Sequence, residues 1–283
     1  MRNSIPNSLF IVSLIGVTAL AFVVGCDAKN EPGVESEQAA ETGANVNESS
    51  DESETPISPT ENDVASAPEG KVLRHAVFFS FKEESTEEEV QGVVDAFQSL
   101  PAKIDAIQDF AWGINNSPEG LDDGFTHCFF LTFKDQAGLQ QYIPHPAHSG
   151  EFADALRPHM KDVFVIDYWG TAPNAEEVSD KKRQLKHAVF LKFKDDADPA
   201  AIKTVEEGFA ALPSKIDSIK GFEWGLNNSP EGKNDDFTHA FMVTFDSEDG
   251  RKEYLPHPDH LAFVEVLKPV LDKVRVLDFW IGE

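Results

Sequence analysis

The chain has 283 residues, enough for one or two ordinary domains, and carries 50 acidic against 24 basic side chains for a net charge of −26. That charge argues against a nucleic-acid partner, because Lys and Arg on phosphates supply most of such affinity. It argues equally against docking on anionic lipid through a basic patch. Two cysteines, Cys26 and Cys128, rule out a disulfide framework, while 41% apolar residues including 22 Phe suffice for a packed core.

Residues 1–26 have the form of a secretory signal: Arg2 near the start, an apolar run from Leu9 to Val24, then Gly25-Cys26. The apolar run is shorter than the roughly 20 residues of a spanning helix. The Gly-Cys pair resembles a bacterial lipobox, which implies lipidation of Cys26 and an extracytoplasmic protein anchored to a bacterial membrane. An uncleaved anchor and an ordinary secretory signal are the alternatives. Residues 27–70 are rich in Glu, Asp, Ser, Asn and Pro and nearly free of aromatics. Such a segment cannot bury enough apolar surface to offset its chain entropy and reads as a disordered acidic tether.

The rest of the chain is one unit written twice. HAVFFSFK from His75 returns as HAVFLKFK from His187, and FAWGINNSPEG from Phe110 as FEWGLNNSPEG from Phe222. FTHCFFLTF from Phe125 returns as FTHAFMVTF from Phe237, YIPHPAH from Tyr142 as YLPHPDH from Tyr254, and VIDYW from Val165 as VLDFW from Val276. The second copy loses one residue just after its His-Pro-Asp-His. The period is too long for a solenoid repeat, so each copy is a domain: 71–170 and 185–283, joined by a polar linker over 171–184.

Within a copy the elements follow in order. Val72 to Phe81 is a strand. Ser85-Thr86-Glu87-Glu88 has the pattern of a capping box, and Val90, Val93, Val94, Phe97 and Leu100 then fall on one helical face. In the second copy Asp198-Pro199 supplies an N-cap and a proline in the first turn. Ile107 to Asn116 is a strand. Asn115 to Gly124 is a loop whose Asn-Asn-Ser-Pro-Glu-Gly reads as a turn. Phe125 to Lys134 is a third strand, with Cys128 a small buried apolar residue. A short helix over Ala137 to Ile143, a His-Pro segment, a helix from Glu151 to Met160 and a last strand from Asp162 to Trp169 complete the unit.

The order β-α-β-β-α-β is the ferredoxin-like arrangement of an α+β domain. The strands are apolar on both faces, and helices can cover only one of them. The fold expected is two such units whose antiparallel sheets pair inside one chain as a dimeric α/β barrel. An intramolecular pseudo-dimer of this kind needs no obligate homo-oligomer. Trp112, Trp224, Trp169 and Trp280 are assigned to core or seam packing.

The Lys/Arg-His-x-Val start, the Trp-Gly-x-Asn segment, Phe-Thr-His before an apolar strand, Tyr-x-x-His-Pro-x-His and the closing Asp-aromatic together resemble the stress-responsive A/B barrel family. The resemblance covers both copies and implies ferredoxin-like units that pair into barrels. The Tyr-x-x-His-Pro-x-His stretch is also similar to that of a plant polyketide cyclase, olivetolic acid cyclase. That likeness implies a catalytic pair at Tyr142 and His148 and again at Tyr254 and His260.

Physically, an imidazole can take a proton from carbon beside a carbonyl while a phenol steadies the developing enolate. The bland alternative is that Pro144 and Pro146 fix the backbone and the histidines cap it. His75, His127, His145, His187, His239 and His257 are further candidates for contact with a ligand. A lone His on an apolar strand face is more often a hydrogen-bonded core residue. Neighbouring antiparallel strands start at opposite ends, so a single histidine cluster is not expected. A metal site is not expected either, for want of a third protein ligand, and no cofactor motif is present. Three functions remain open: a barrel that binds a small apolar or aromatic ligand, a cyclase-like enzyme, and a non-catalytic structural or interaction domain.

Overall fold

The computed structural model describes residues 66–172 and 183–282. The expected signal segment with Cys26, most of the acidic tether and residues 173–182 of the linker lie outside the described residues. The first unit runs β1 (Lys71–Phe81), α1 (Glu87–Gln98), β2 (Ile107–Ile114), β3 (His127–Phe133), α2 (Gln136–Tyr142), α3 (Ala153–Leu156) and β4 (Met160–Thr171). The second runs β5 (Gln184–Phe193), α4 (Pro199–Ala210), β6 (Gly221–Leu226), β7 (His239–Phe245), α5 (Glu248–Tyr254), α6 (Pro258–Leu267) and β8 (Leu271–Ile281). Each forms an antiparallel four-stranded sheet, ordered β2-β3-β1-β4 and β6-β7-β5-β8. These are the two ferredoxin-like units read from the sequence.

Two local expectations are corrected. The capping box starts at Thr86, not Ser85: the Thr86 side chain accepts from the Glu89 amide, and the Glu89 carboxylate accepts from the Thr86 amide. Ser85 instead contacts the His159 ring at 3.0 Å. The helix expected from Glu151 to Met160 is a wide π turn over Ala147–Phe152 followed by the single turn of α3. The second copy lacks one residue here and builds a regular helix, α6. The extra residue of the first copy is absorbed by widening one turn, which is how a helix accommodates an insertion.

Alternation along each strand sorts side chains into two layers. Leu73, Val77 and Phe79 of β1 pack under the helices with Val93, Phe97, Leu139 and Tyr142, and the second copy has the equivalent layer. Ala76 and Phe78 point the other way, into a layer shared with Phe130, Phe164, Phe190 and Phe279 from both copies. Phe164 lies 5.0 Å from Phe190 and 5.5 Å from Phe237, ring centre to ring centre. Each Phe sealed there contributes roughly 1.5–3 kcal/mol. The space between the sheets is thus filled by the chain's own side chains, and the expectation of a ligand held there shifts to the sheet–helix layers.

The barrel closes where β2 meets β8 and β6 meets β4. Gly113 and Gly225 make the approach possible. A Cβ on Gly113 would sit 2.6 Å from the Trp280 carbonyl, and one on Gly225 would sit 3.0 Å from the Tyr168 Cβ. The Asn-Asn-Ser-Pro-Glu-Gly segment, read as a turn, does turn: the Ser117 amide donates to Asn115 Oδ1 at 3.0 Å. It is also a strap on the other copy's edge strand. The Asn116 amide donates to the Asp278 carbonyl at 2.8 Å, the Asp278 amide to Asn115 Oδ1 at 3.0 Å, and the Val276 amide to the Leu121 carbonyl at 2.9 Å. Asn227, Asn228 and Lys233 hold Asp167 and Val165 of β4 in the same way. The straps satisfy edge groups that would otherwise invite pairing with another chain.

Two glycine substitutions should move stability in opposite directions. Gly113→Ala should destabilise by about 1–3 kcal/mol, since its methyl meets backbone that cannot yield. Gly92→Ala, on the open face of α1 with nothing within 4 Å, should stabilise by about 0.5–1 kcal/mol. Urea denaturation midpoints measure both, and an unshifted midpoint for Gly113→Ala would contradict the seam.

Candidate functional site

In the first copy β1, β4, the end of α2 and the π turn bring four groups together under the sheet. His75 Nδ1 lies 2.6 Å from Asp167 Oδ1, with both side chains sealed from solvent. Tyr142 closes α2 with its ring centre 5.5 Å from that of His75. The His148 ring lies against Tyr142 at 4.2 Å. The Tyr142 hydroxyl is buried and has no hydrogen-bond partner, and neither has Asp167 Oδ2. A fifth group comes from the other copy: Glu231, on the strap, places Oε1 3.9 Å from His75 Nε2.

The second copy repeats the plan. His187 Nδ1 lies 2.6 Å from Asp278 Oδ1, Tyr254 is 5.6 Å from His187, and His260 lies on Tyr254 at 4.2 Å. Glu119, from the first copy's strap, comes within 3.8 Å of His187. The Tyr254 hydroxyl is also without a partner. One position breaks the symmetry. Arg251 of α5 is buried and donates through Nη1 to Asp278 Oδ2 at 2.5 Å, where the first copy has Leu139.

The two histidines of each group are tuned apart. Burial pulls His75 and His187 down, but the charge and hydrogen bond of Asp167 or Asp278 more than offset it, and both end above the ordinary imidazole value. His148 and His260 end below it, through burial, despite a hydrogen bond from Nδ1 to the carbonyl of Ile143 or Leu255 at 2.9 Å. A carbonyl accepts only, so Nδ1 carries the proton and Nε2 of the neutral ring is a lone-pair base. Burial raises the Tyr142 and Tyr254 phenols, which stay neutral donors. Burial, joined by the Asp278 charge and only partly offset by His187 and Arg251, leaves Glu119 above the usual carboxylate range. A neutral base, a neutral phenol and a proton-rich imidazole in one place is the grouping that splits acid from base roles.

The other candidates fall elsewhere. His145 Nδ1 accepts from the Ala147 amide and His257 Nδ1 from the Asp259 amide, both at 3.2 Å, so these two cap the His-Pro corner. His127 pairs with Phe79, at the far end of β1 from His75, and stands edge-on to Phe81 at 4.9 Å. Burial leaves it below the ordinary imidazole value. His239 takes the equivalent place with Glu206 at 3.0 Å. Trp112 and Trp224 stack on Phe129 and Phe241, while Trp169 and Trp280 pack at the margins of the sheet–helix layers. Cys128 is fully buried between the sheets. Among the described residues no group of three or more His, Cys, Asp or Glu is placed to hold a metal.

Sequence reasoning missed Asp167, Asp278, Glu119, Glu231 and Arg251. The first two stand in the repeated closing Asp-aromatic and the next two in the repeated Ser-Pro-Glu-Gly, so an unexplained acid in each repeat was the available signal. Arg251 offered none. Two shallow surface clefts, one lined by Ser85 and His127 and one by Asp123, Asp272 and Arg275, contain none of the Tyr/His groups.

Two ferredoxin-like units joined sheet to sheet, each with a polar group buried under its helices, define a duplicated α/β-barrel protein. The model of the stress responsive A/B barrel domain matches residues 73–170 and 185–281, and the chain belongs to that family in both halves. It is 35% identical over 102 residues to the stress-response A/B barrel domain-containing protein HS1 of Arabidopsis thaliana, spanning 36% of this chain and 94% of that protein. It is 31% identical over 96 residues to olivetolic acid cyclase of Cannabis sativa, spanning 34% of this chain and 94% of that one. The crystal structure of an anthrone oxidase-like protein overlies 78% of this chain and 94% of its own with a TM-score of 0.52 at 10% identity, a likeness of fold alone.

The tuning of the histidines gives a pH dependence of known sign. His75 binds its proton more tightly folded than unfolded, so its contribution is full below about 6.5 and fades as pH rises through its raised folded value. His148 is the reverse: its contribution is full above about 6.5 and is lost as pH falls through its lowered folded value. His75→Gln should therefore destabilise more at pH 5.5 than at pH 9, and His148→Gln more at pH 9 than at pH 5.5. Paired urea titrations measure this, and equal costs at both pH values would refute the assignment.

Proposed function

We propose that this chain is a lipid-anchored extracytoplasmic protein that takes a small, largely apolar, oxygen-bearing molecule into the sheet–helix layer and moves a proton on it. The observation that carries the reading is the buried hydroxyl of Tyr142, without a partner, on a ring that contacts those of His75 and His148. A buried hydroxyl left unpaired costs about 1–3 kcal/mol, and a bound oxygen would recover it. The likeness to a cyclase across nearly the whole of that enzyme supports chemistry of the same class.

In the proposed reaction His148 Nε2 removes a proton from carbon beside a carbonyl. The electron pair moves to the carbonyl oxygen, which accepts a hydrogen bond from Tyr142. The nucleophilic carbon then attacks a second carbonyl of the same molecule, forming the ring bond, and the new alkoxide takes the proton back from His148. His75, whose proton Asp167 holds, lies beside the phenol and places its imidazolium near the developing oxyanion. A second reading, retention without turnover, is favoured by the complete burial of Tyr142. The Gly25-Cys26 sequence supports the anchor.

Cyclisation of linear polyketide thioesters, followed by mass spectrometry, tests the first reading. His148→Ala with His260→Ala should lower the rate by about 100-fold or more, and Tyr142→Phe with Tyr254→Phe should lower it while the fold is kept. Binding without turnover would leave the second reading; neither binding nor turnover across such substrates would sink both. For the anchor, Cys26→Ser should move the protein from the membrane to the soluble fraction and abolish labelling by a clickable fatty acid.

A further inference from the structure

The two Tyr/His groups differ at one carboxylate oxygen. Asp278 Oδ2 is held by the Arg251 guanidinium, which also donates to the Asn116 carbonyl at 3.2 Å and to Asn116 Oδ1 at 2.9 Å. The second site is thereby tied shut to the strap that covers it. Asp167 Oδ2, in the same position of the first copy, is equally buried and faces no donor. Leu139 stands where Arg251 does and is packed among apolar neighbours. The cation near the first site comes from outside: Lys233, on the strap, lies 3.4 Å from Glu231 and is half-exposed.

A buried carboxylate oxygen without a hydrogen bond is costly. Something must donate to it, and within the described chain nothing does. In the second copy the donor is built in.

We propose that the two sites are unequal: the first, composed of His75, Tyr142, His148 and Asp167 with Glu231 from the other copy, is the one that takes a ligand, and that ligand presents a hydrogen-bond donor to Asp167. Arg251 occupies the corresponding place in the second site and makes it a structural element. This rests on the reading above and adds to it a stoichiometry of one and a ligand class: an uncharged molecule with an apolar body and a hydroxyl. A carboxylate-bearing ligand is disfavoured, because Asp167 and Glu231 both face the position. The same geometry assigns Arg251 and Leu139 as the residues that decide which copy is open.

The test uses the full chain and two probes of nearly equal shape, 3-pentylphenol, which donates, and 3-pentylanisole, which cannot. Calorimetry should find one phenol per chain, with the anisole at least tenfold weaker. Leu139→Arg should remove phenol binding, and Arg251→Leu should raise the stoichiometry to two. Should Leu139→Arg not fold, Asp167→Asn, which keeps the shape and replaces an acceptor by a donor, should weaken the phenol at least tenfold. Two phenols per wild-type chain, phenol binding that survives both first-copy variants, or equal affinity for the two probes would overturn the inequality and leave the general site reading standing. If no form of the chain, Arg251→Leu included, binds the phenol, both readings fall together.

Discussion

Each four-stranded sheet is apolar on both faces, and its helices cover only one. That constraint governs the rest of the molecule. A sheet with Ala76, Phe78, Phe130 and Phe164 on its open face cannot stay in water. The second copy has the same problem, and the two solve each other by closing face to face. The filling is aromatic and dense, so the barrel interior is a core. Any site must then lie in the outer layers, between sheet and helix, where the strand pattern admits a polar residue such as His75 among apolar neighbours.

Closing the barrel and building the site are one act. Asp167 shows why. Its backbone amide and carbonyl are held by Asn227 and Asn228 of the opposite strap, and its side chain holds His75. The same strap goes on to present Glu231 to that histidine. A disturbance of the seam therefore reaches the imidazole through a single residue, and neither copy alone contains a complete group. Gly113 and Gly225 belong to the same device, because a side chain at either would push the seam apart.

How much of this was legible depended on the range of the interaction. Strand and helix order came from alternation and caps, which are local, and the repeat exposed itself by direct comparison. The pairing of sheets followed from counting apolar faces against available cover. The Tyr142–His148 contact was within reach because both residues sit on one short corner. The partners of His75 were not, since Asp167 lies 92 positions away and Glu231 belongs to the other copy. The strap read as a turn because its side chains form one; that its backbone also binds a distant edge strand has no local signature. The π turn was missed although the one-residue difference between copies was visible, because an insertion does not say whether a loop or a helix will absorb it.

Tandem fusion also frees the barrel from symmetry. In a homodimer a two-fold axis repeats every contact, so a cation placed in one site is placed in both. Here Arg74 of the first copy forks onto Glu223 of the second, at 3.0 and 3.1 Å, while the equivalent positions hold Lys186 and Ala111. Arg275 sits over Phe125, Phe164 and Phe237 and bridges Asp123 and Asp235, where the first copy has Phe164 itself. These unequal contacts join the two halves through pairs that a symmetric dimer would have to repeat. Arg251 is the same kind of contact placed inside a site. It ties a strap, neutralises a buried carboxylate and fills a polar position, all at the expense of a second opening. Once one copy carries that load, the other is free to leave Asp167 Oδ2 without a donor, and roles that a symmetric dimer must combine in every subunit are divided between two halves of one chain.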